Sequence, residues 1–205
     1  MSREAPRRQE WRALLLGAGF PSDAGDRMTS FLSLLVQWGR ATDLFGGAEP
    51  ETLLDGLVHD TLAALPWVAT SGSLLDVGSG NGFPAVPLLV ARPGLHGVLL
   101  EPRERRWAFL KEVVRELGLD AEARRERVAD HPGSGYLLGT VRGLDVDAWL
   151  PDAGRLVGAG GSWLWWTSRA KTAALRRRVL DGRVLTFPLP GSAHGELAIW
   201  QRCST

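Results

Sequence analysis

Apolar residues recur at three- and four-residue spacing in two stretches near the start of the chain. The first is Met28, Phe31, Leu32, Leu35 and Trp38; the second is Leu54, Leu57, Val58, Leu62 and Leu65. That period lines up each set on one face of a helix. Trp11, Leu14 and Leu15 point to a shorter helix ending at Gly17-Ala18-Gly19, Ser22 or Asp23 stands where a cap for the second is wanted, and Pro50 suits the opening of the third. No strand-like run interrupts them. An N-terminal helical cap over residues 1–70 is expected, with apolar stripes that need a second surface to cover them.

The pattern changes at Leu74. Leu74, Leu75 and Val77 read as a short buried strand, Val86, Leu88, Leu89 and Val90 as the apolar side of a helix, and Val98 to Leu100 as a second strand. A helix over about 103–117 follows, stopped by Gly118. The Arg- and Glu-rich segment 121–128 fits an outer strand, and Tyr136–Val141 a fourth. Asp145 stands at the start of a helix that Pro151 must interrupt or restart. Gly160-Gly161 precedes a fifth strand, 162–166, whose Trp163, Trp165 and Trp166 are expected in the core. A helix near 170–180 and strands at 183–188 and 196–202 complete the chain. Strands alternating with helices imply an α/β, doubly wound sheet of about seven strands over residues 71–205.

Between the first strand and its helix, glycine falls at 78, 80 and 82. Such a loop turns sharply and lets a ligand approach the backbone. Strand, glycine loop, helix, strand, then Glu101: an acid about twenty residues beyond the glycines accepts hydrogen bonds from a ribose in nucleotide-binding folds. Asp76-Val77-Gly78-Ser79-Gly80-Asn81-Gly82 has the form of the first motif of class I S-adenosylmethionine-dependent methyltransferases, with an acid two residues before the first glycine. The competing ligand is a dinucleotide, since Gly80, Gly82 and Ala85 also fit Gly-x-Gly-x-x-Ala.

Composition narrows the picture further. The 205 residues carry a net charge of +1, so any attraction for nucleic acid must be local. Lys111 and Lys171 are the only lysines; the other basic residues are arginines, suited to bidentate phosphate contacts. A single cysteine, Cys203, allows no internal disulfide. No stretch is apolar enough for a membrane span or secretion signal, so a cytoplasmic protein is expected; a monomer is the separate expectation for its assembly. His131 and His194 lack neighbours at metal-ligand spacing, and no metal is expected.

Asp76–Pro87, DVGSGNGFPAVP, with Phe109-Leu110-Lys111-Glu112-Val113 and Leu117-Gly118-Leu119, resembles the RsmG family, bacterial 16S ribosomal RNA guanine-N7 methyltransferases also known as glucose-inhibited division protein B. Gly-Phe-Pro after the glycine loop is the discriminating piece. Trp38 to Phe45, Asp60-Thr61-Leu62, Thr140-Val141-Arg142 and Gly160-Gly161 extend the likeness over roughly residues 28–200. Asp43, Phe45, Leu57, Ala85 and Thr167 depart from it, standing where the family has Asn, Thr, His, Gly and Lys.

The resemblance implies S-adenosyl-L-methionine as cofactor and 16S rRNA or the small ribosomal subunit as partner. Cofactor contacts are implied for Asp76, Gly78, Gly80, Gly82 and Phe83 in the loop, Glu101 at the ribose, Ala129 and Asp130 at the adenine, and Arg142. Guanine N7 has a free lone pair and no proton, so no general base is needed and no catalytic side chain is assigned. Two other functions share the motif: a homologue that keeps the cofactor but has lost its RNA surface, and a small-molecule methyltransferase using the cap as a lid. An open basic cleft favours the rRNA enzyme, a closed apolar one the last.

Overall fold

The structure, a computed structural model, describes residues 4–17, 20–39, 42, 44–45, 50–179 and 181–204. Asp43, and the side chains of Leu14, Asp23 and Leu54, lie outside the described residues.

Three helices lead the chain: α1 (Glu4–Gly17), α2 (Gly25–Gly39) and α3 (Pro50–Leu62). Helix α2 buries Met28, Phe31, Leu32 and Leu35, the stripe its spacing predicts. Ser22 does not cap it. Residues Ser22–Ala24 form a 3-10 turn that runs directly into the helix.

The rest alternates as expected: β1 (Ser71–Val77), α4 (Ala85–Ala91), β2 (Gly94–Leu100), α5 (Glu104–Glu116), β3 (Ala121–Arg124), β4 (Tyr136–Arg142), α6 (Leu150–Leu156), β5 (Val157–Ser168), α7 (Arg169–Arg178), β6 (Gly182–Pro188) and β7 (Gly195–Arg202). They form one seven-stranded sheet in the order β3-β2-β1-β4-β5-β7-β6. Strands β1 to β5 are parallel, and β7 runs antiparallel to β5 and β6. The chain leaves β1 toward β2 on one side and later returns to pair β4 on the other. The connections after β1 and β4 therefore diverge, opening a crevice at the carboxyl ends of the central strands.

Alternation along the strands feeds two apolar layers. Leu74, Leu99, Leu138 and Leu164 face a cluster with α2, α4 and α5, whereas Leu75, Val77, Val141, Trp163 and Trp165 face α6 and α7. The N-terminal helices belong to the first layer: Phe31 meets Phe83 at 5.3 Å between ring centroids, and Trp38 meets Phe109 at 5.8 Å. Arg27 adds a guanidinium hydrogen bond to the Leu117 carbonyl at 2.7 Å, closing the C-terminal end of α5.

Two boundaries differ from the pattern. β5 begins at Val157, before the glycines, because residues 158–161 bulge: pairing jumps from Tyr136↔Val157 to Leu138↔Ser162. Gly160, at φ +77°, lets the strand absorb the extra residues without leaving the sheet. Past β4, a 3-10 turn (Val146–Ala148) precedes α6, and Pro151 sits in that helix's first turn, where it costs no hydrogen bond. Asp145 makes no side-chain cap and instead pairs with Lys171.

Candidate cofactor site

The glycine loop after β1 is tied to β2 from the start. The Gly78 and Ser79 amides donate to the Leu100 carbonyl at 2.9 and 3.0 Å. Gly78 and Gly80 have φ of +72° and +51°, the left-handed region where a side chain is strained, and a Cβ on Gly78 would lie 2.8 Å from Leu144. Glu101, 4 % exposed, completes the turn: Oε2 accepts from the Gly80 amide at 3.0 Å and Oε1 from the Arg103 amide at 2.8 Å. The acid at the end of β2 thus fixes the loop at the end of β1, and each oxygen retains a lone pair for a further donor.

A cavity of about 620 Å³ opens on this loop, within the range of small-molecule sites. Gly78, Gly80, Phe83, Glu101, Ala129 and Arg142 line it, joining residues from the ends of β1, β2 and β4 and from the turn after β3. Phe83 plays two parts, bordering the cavity while stacking on Phe31. Arg103, Arg106 and Arg127 also line it, and Arg103 and Arg127 are exposed.

Three predicted contacts do not line the cavity. Gly82 turns the other way, so that a Cβ there would press on Phe31 and Val86 at 3.1 and 3.0 Å; its role is close packing of the cap. Asp130 is exposed at the end of a 3-10 turn, Val128–Asp130, and only its neighbours Val128 and Ala129 reach the cavity. Asp76 lies behind the loop, 1 % exposed, accepting a 2.6 Å hydrogen bond from the Thr140 hydroxyl.

Burial pushes the Asp76 carboxyl up to about 6, against the Thr140 hydrogen bond, and Glu101 adds repulsion. Its Oδ2 has no partner. A carboxyl raised above its unfolded value of 3.8 makes the native state bind more protons than the unfolded one between pH 4 and 6. Its full contribution is present below about pH 4 and is lost as pH rises through 6. Asp76→Asn, which keeps the acceptor for Thr140, should therefore be more stable than the parent at pH 7.5 by about 1–3 kcal/mol, with the gap closing toward pH 4. Denaturant unfolding of both proteins at three pH values checks this; a gap independent of pH would mean that Asp76 is ionised without cost.

The turn between β3 and β4 is braced from behind. His131 is buried, its Nδ1 2.6 Å from Glu126 Oε1 and its Nε2 2.9 Å from the Tyr136 hydroxyl, while Arg155 donates to the His131 and Gly133 carbonyls at 2.8 and 2.9 Å. Among the described residues no group of three His, Cys, Asp or Glu side chains is placed to hold a metal ion. No helix there is long and apolar enough to cross a membrane.

The residues present fit an adenosyl cofactor. The left-handed glycines clear backbone space, Glu101 lines the cavity, and the Arg142 Nη1 is shielded from water without a partner. Comparison with known proteins points the same way. The profile of the GidB family, rRNA small subunit methyltransferase G, matches residues 25–173. The chain belongs to this family. The ribosomal RNA small subunit methyltransferase G of Alkalilimnicola ehrlichii is 35% identical over 184 residues, 87% of this chain and 83% of that one. The protein of the same name from Legionella pneumophila strain Corby is 32% identical over 84% of each chain. Among solved structures, an S-adenosylmethionine-dependent methyltransferase from Aquifex aeolicus superposes with a TM-score of 0.57 at 13% identity, covering 70% of this chain and 89% of that one. The fold is thus that of class I S-adenosylmethionine-dependent methyltransferases.

Against the family pattern, Leu57 lines the cavity where a histidine would stand, Phe45 packs on the first apolar layer, Ala85 is fully buried and Thr167 is half-buried on β5. Leu44, Leu144 and Val128 are apolar walls that no motif announces. Sequence reasoning named Asp60 only as part of the family likeness and gave it no role. It is 1 % exposed and bonded to Arg142 at 2.9 Å, a contact across 82 residues of chain.

Proposed function

We propose that this protein methylates guanine N7 of small-subunit ribosomal RNA, using S-adenosyl-L-methionine. Family membership across residues 25–173 carries the reading, and the arginines at the cavity mouth favour it over a small-molecule enzyme. A closed apolar pocket would not present Arg103 and Arg127 to solvent. The cofactor supplies, when bound, a methyl group on a positively charged sulfur. Glu101 holds the ribose hydroxyls, the backbone at Gly78 and Gly80 admits the cofactor to van der Waals contact, Ala129 borders the adenine, and Arg142 takes an anionic group. Gly82 supports the loop from the cap side and Asp76 from beneath, while Asp130 stands at the outer turn beside Ala129.

No residue has to remove a proton. N7 attacks with its own lone pair, so the site's work is alignment and exclusion of water, worth on the order of 7–11 kcal/mol of a barrier. The cavity lining contains neither histidine nor lysine among the described residues, as such a reaction permits. We read residues 1–70 as a cap and 71–205 as the cofactor-binding domain, together one structural unit, acting as a cytoplasmic monomer.

N7-methylguanine carries a fixed positive charge, and reduction followed by aniline cleaves RNA at that base. Deleting the gene should abolish one such cleavage in small-subunit rRNA, and the wild-type gene should restore it. An unchanged cleavage pattern, in cells with no second enzyme for the site, would overturn the proposal.

A further inference from the structure

The lining of the cavity is divided by charge. Glu101, Arg103, Arg106, Glu126 and Arg127 all follow β2 or β3. Among the described residues, the lining on the β4 side is Leu44, Leu57, Arg142, Gly143, Leu144 and Ala148, and its one charged group, Arg142, is paired with Asp60. The three leucines arrive from different places. Leu44 follows α2 and is 4 % exposed; its amide donates to the Thr42 carbonyl at 2.8 Å, and the Thr42 amide and hydroxyl bond to the Trp38 carbonyl. Leu57, on α3, is half-buried and packs on the same apolar layer as Leu44. Leu144, also half-buried, packs on the opposite layer, and its carbonyl accepts from Trp165 Nε1 at 3.3 Å.

Those layers cover opposite faces of the sheet, so Leu44 and Leu57 flank the crevice on one side and Leu144 on the other. Leu144 also stands over the glycine loop, since a Cβ on Gly78 would lie 2.8 Å from its Cδ1. The result is a slot with aliphatic walls whose inner end is the cofactor loop. Walls of this kind cover the faces of a flat, uncharged ring and offer nothing to an ion or a sugar, which lose hydration there without compensation. A histidine at position 57 would present ring nitrogens to a base edge; leucine presents only surface. An enzyme that modifies a base takes it out of its stack and replaces the lost stacking with side chains.

Resting on the rRNA reading above, we propose that Leu44, Leu57 and Leu144 form the acceptor slot, a clamp that holds the extruded guanine by its faces beside the cofactor loop. The clamp touches only the extruded base. Affinity for RNA comes mainly from phosphate contacts elsewhere, so damage to a wall falls on kcat and spares KM.

The test uses small ribosomal subunits, and rRNA extracted from them, from cells lacking the gene. Methyl transfer from labelled S-adenosyl-L-methionine gives kcat and KM, and calorimetry with S-adenosylhomocysteine reports the fold and the cofactor pocket without RNA. Leu57→Ala strips one wall to its Cβ; kcat should fall roughly 10-fold, with KM and S-adenosylhomocysteine affinity each within about twofold of the parent. Leu57→Met, of similar volume, should stay near the parent. Leu57→Trp, which fills the slot, should lose transfer while still binding S-adenosylhomocysteine. Transfer by Leu57→Trp at the parental rate would show that the base does not enter between these walls. A parallel loss of S-adenosylhomocysteine affinity in Leu57→Ala would place Leu57 in the cofactor pocket, and a change in KM alone would place it on the RNA-docking surface; either overturns the clamp. Should Leu57→Trp fail to fold, the contrast between Leu57→Ala and Leu57→Met decides. Wild-type protein that binds S-adenosylhomocysteine but methylates neither substrate contradicts the rRNA reading itself; wild-type transfer that no Leu57 variant alters contradicts only this proposal.

Discussion

Glu101→Ala is expected to cost more cofactor affinity than any other single change at the site. The side chain is buried, and each of its oxygens already receives a backbone N–H, from Gly80 and from Arg103. Truncation leaves both amides without a partner and removes the acceptor proposed for the ribose hydroxyls. Hydrogen bonds to charged groups contribute about 1.5–3 kcal/mol each, so S-adenosylhomocysteine should bind on the order of 10- to 150-fold more weakly. Glu101→Gln separates the two roles. Its single carbonyl oxygen can serve one amide but not both, so it should fall between the parent and the alanine variant. Calorimetry on the purified variants measures the binding, with circular dichroism to confirm the fold. In cells, the alanine variant should fail to restore aniline cleavage of the rRNA. A folded Glu101→Ala protein with parental affinity would remove this acid from the site altogether.

Glu101 was legible in the sequence because the relation between a glycine loop and the acid after the next strand is local. Both lie within one strand-helix-strand unit, and the fold brings the ends of adjacent parallel strands together. The same locality explains the success with the helix stripes and the edge strand: period and charge report which side of an element is covered. Arg142 was also in reach, since it closes a strand at the end where ligands sit.

Asp60 was not. Its partners come from β4, β5 and the β6–β7 connection, and nothing local marks a helix carboxylate as buried and bonded to two distant segments while its main-chain carbonyl receives a third. Gly82 and Asp130 lie outside the cavity lining for a different reason. A motif aligns residues along the chain, but the direction in which each one points depends on what packs behind it. At Gly82 that neighbour is Phe31 of α2, which presses on the loop from the cap. The bulge at 158–161 misled in the same way, because paired glycines read as a turn when the strand in fact continues through them.

The tryptophans of β5 lead to the second large effect. Gly139 pairs with Trp163 in the register of β4 and β5, and a Cβ on Gly139 would lie 2.4 Å from Trp163 Cε3. The indole lies across the bare backbone of the neighbouring strand, fully buried, 4.8 Å from the Trp149 ring, with Nε1 donating to the Ala153 carbonyl at 3.2 Å. It has no room to move aside. Gly139→Val should therefore destabilise the protein by about 3 kcal/mol, the upper end for overpacking a filled core. In a Trp163→Leu background the same valine should cost far less, since it occupies part of the volume the indole leaves; a coupling of about 0.5–3 kcal/mol is typical for residues in contact. Denaturant unfolding of the four proteins measures this cycle. A valine penalty equal in both backgrounds would mean that Trp163 does not occupy this space and is free to face solvent or RNA. The expected coupling instead assigns Trp163 to the core. It also bears on the site, because Gly139 lies on the strand that ends in Arg142, and a core that holds β4 in register holds the guanidinium at the cavity's edge.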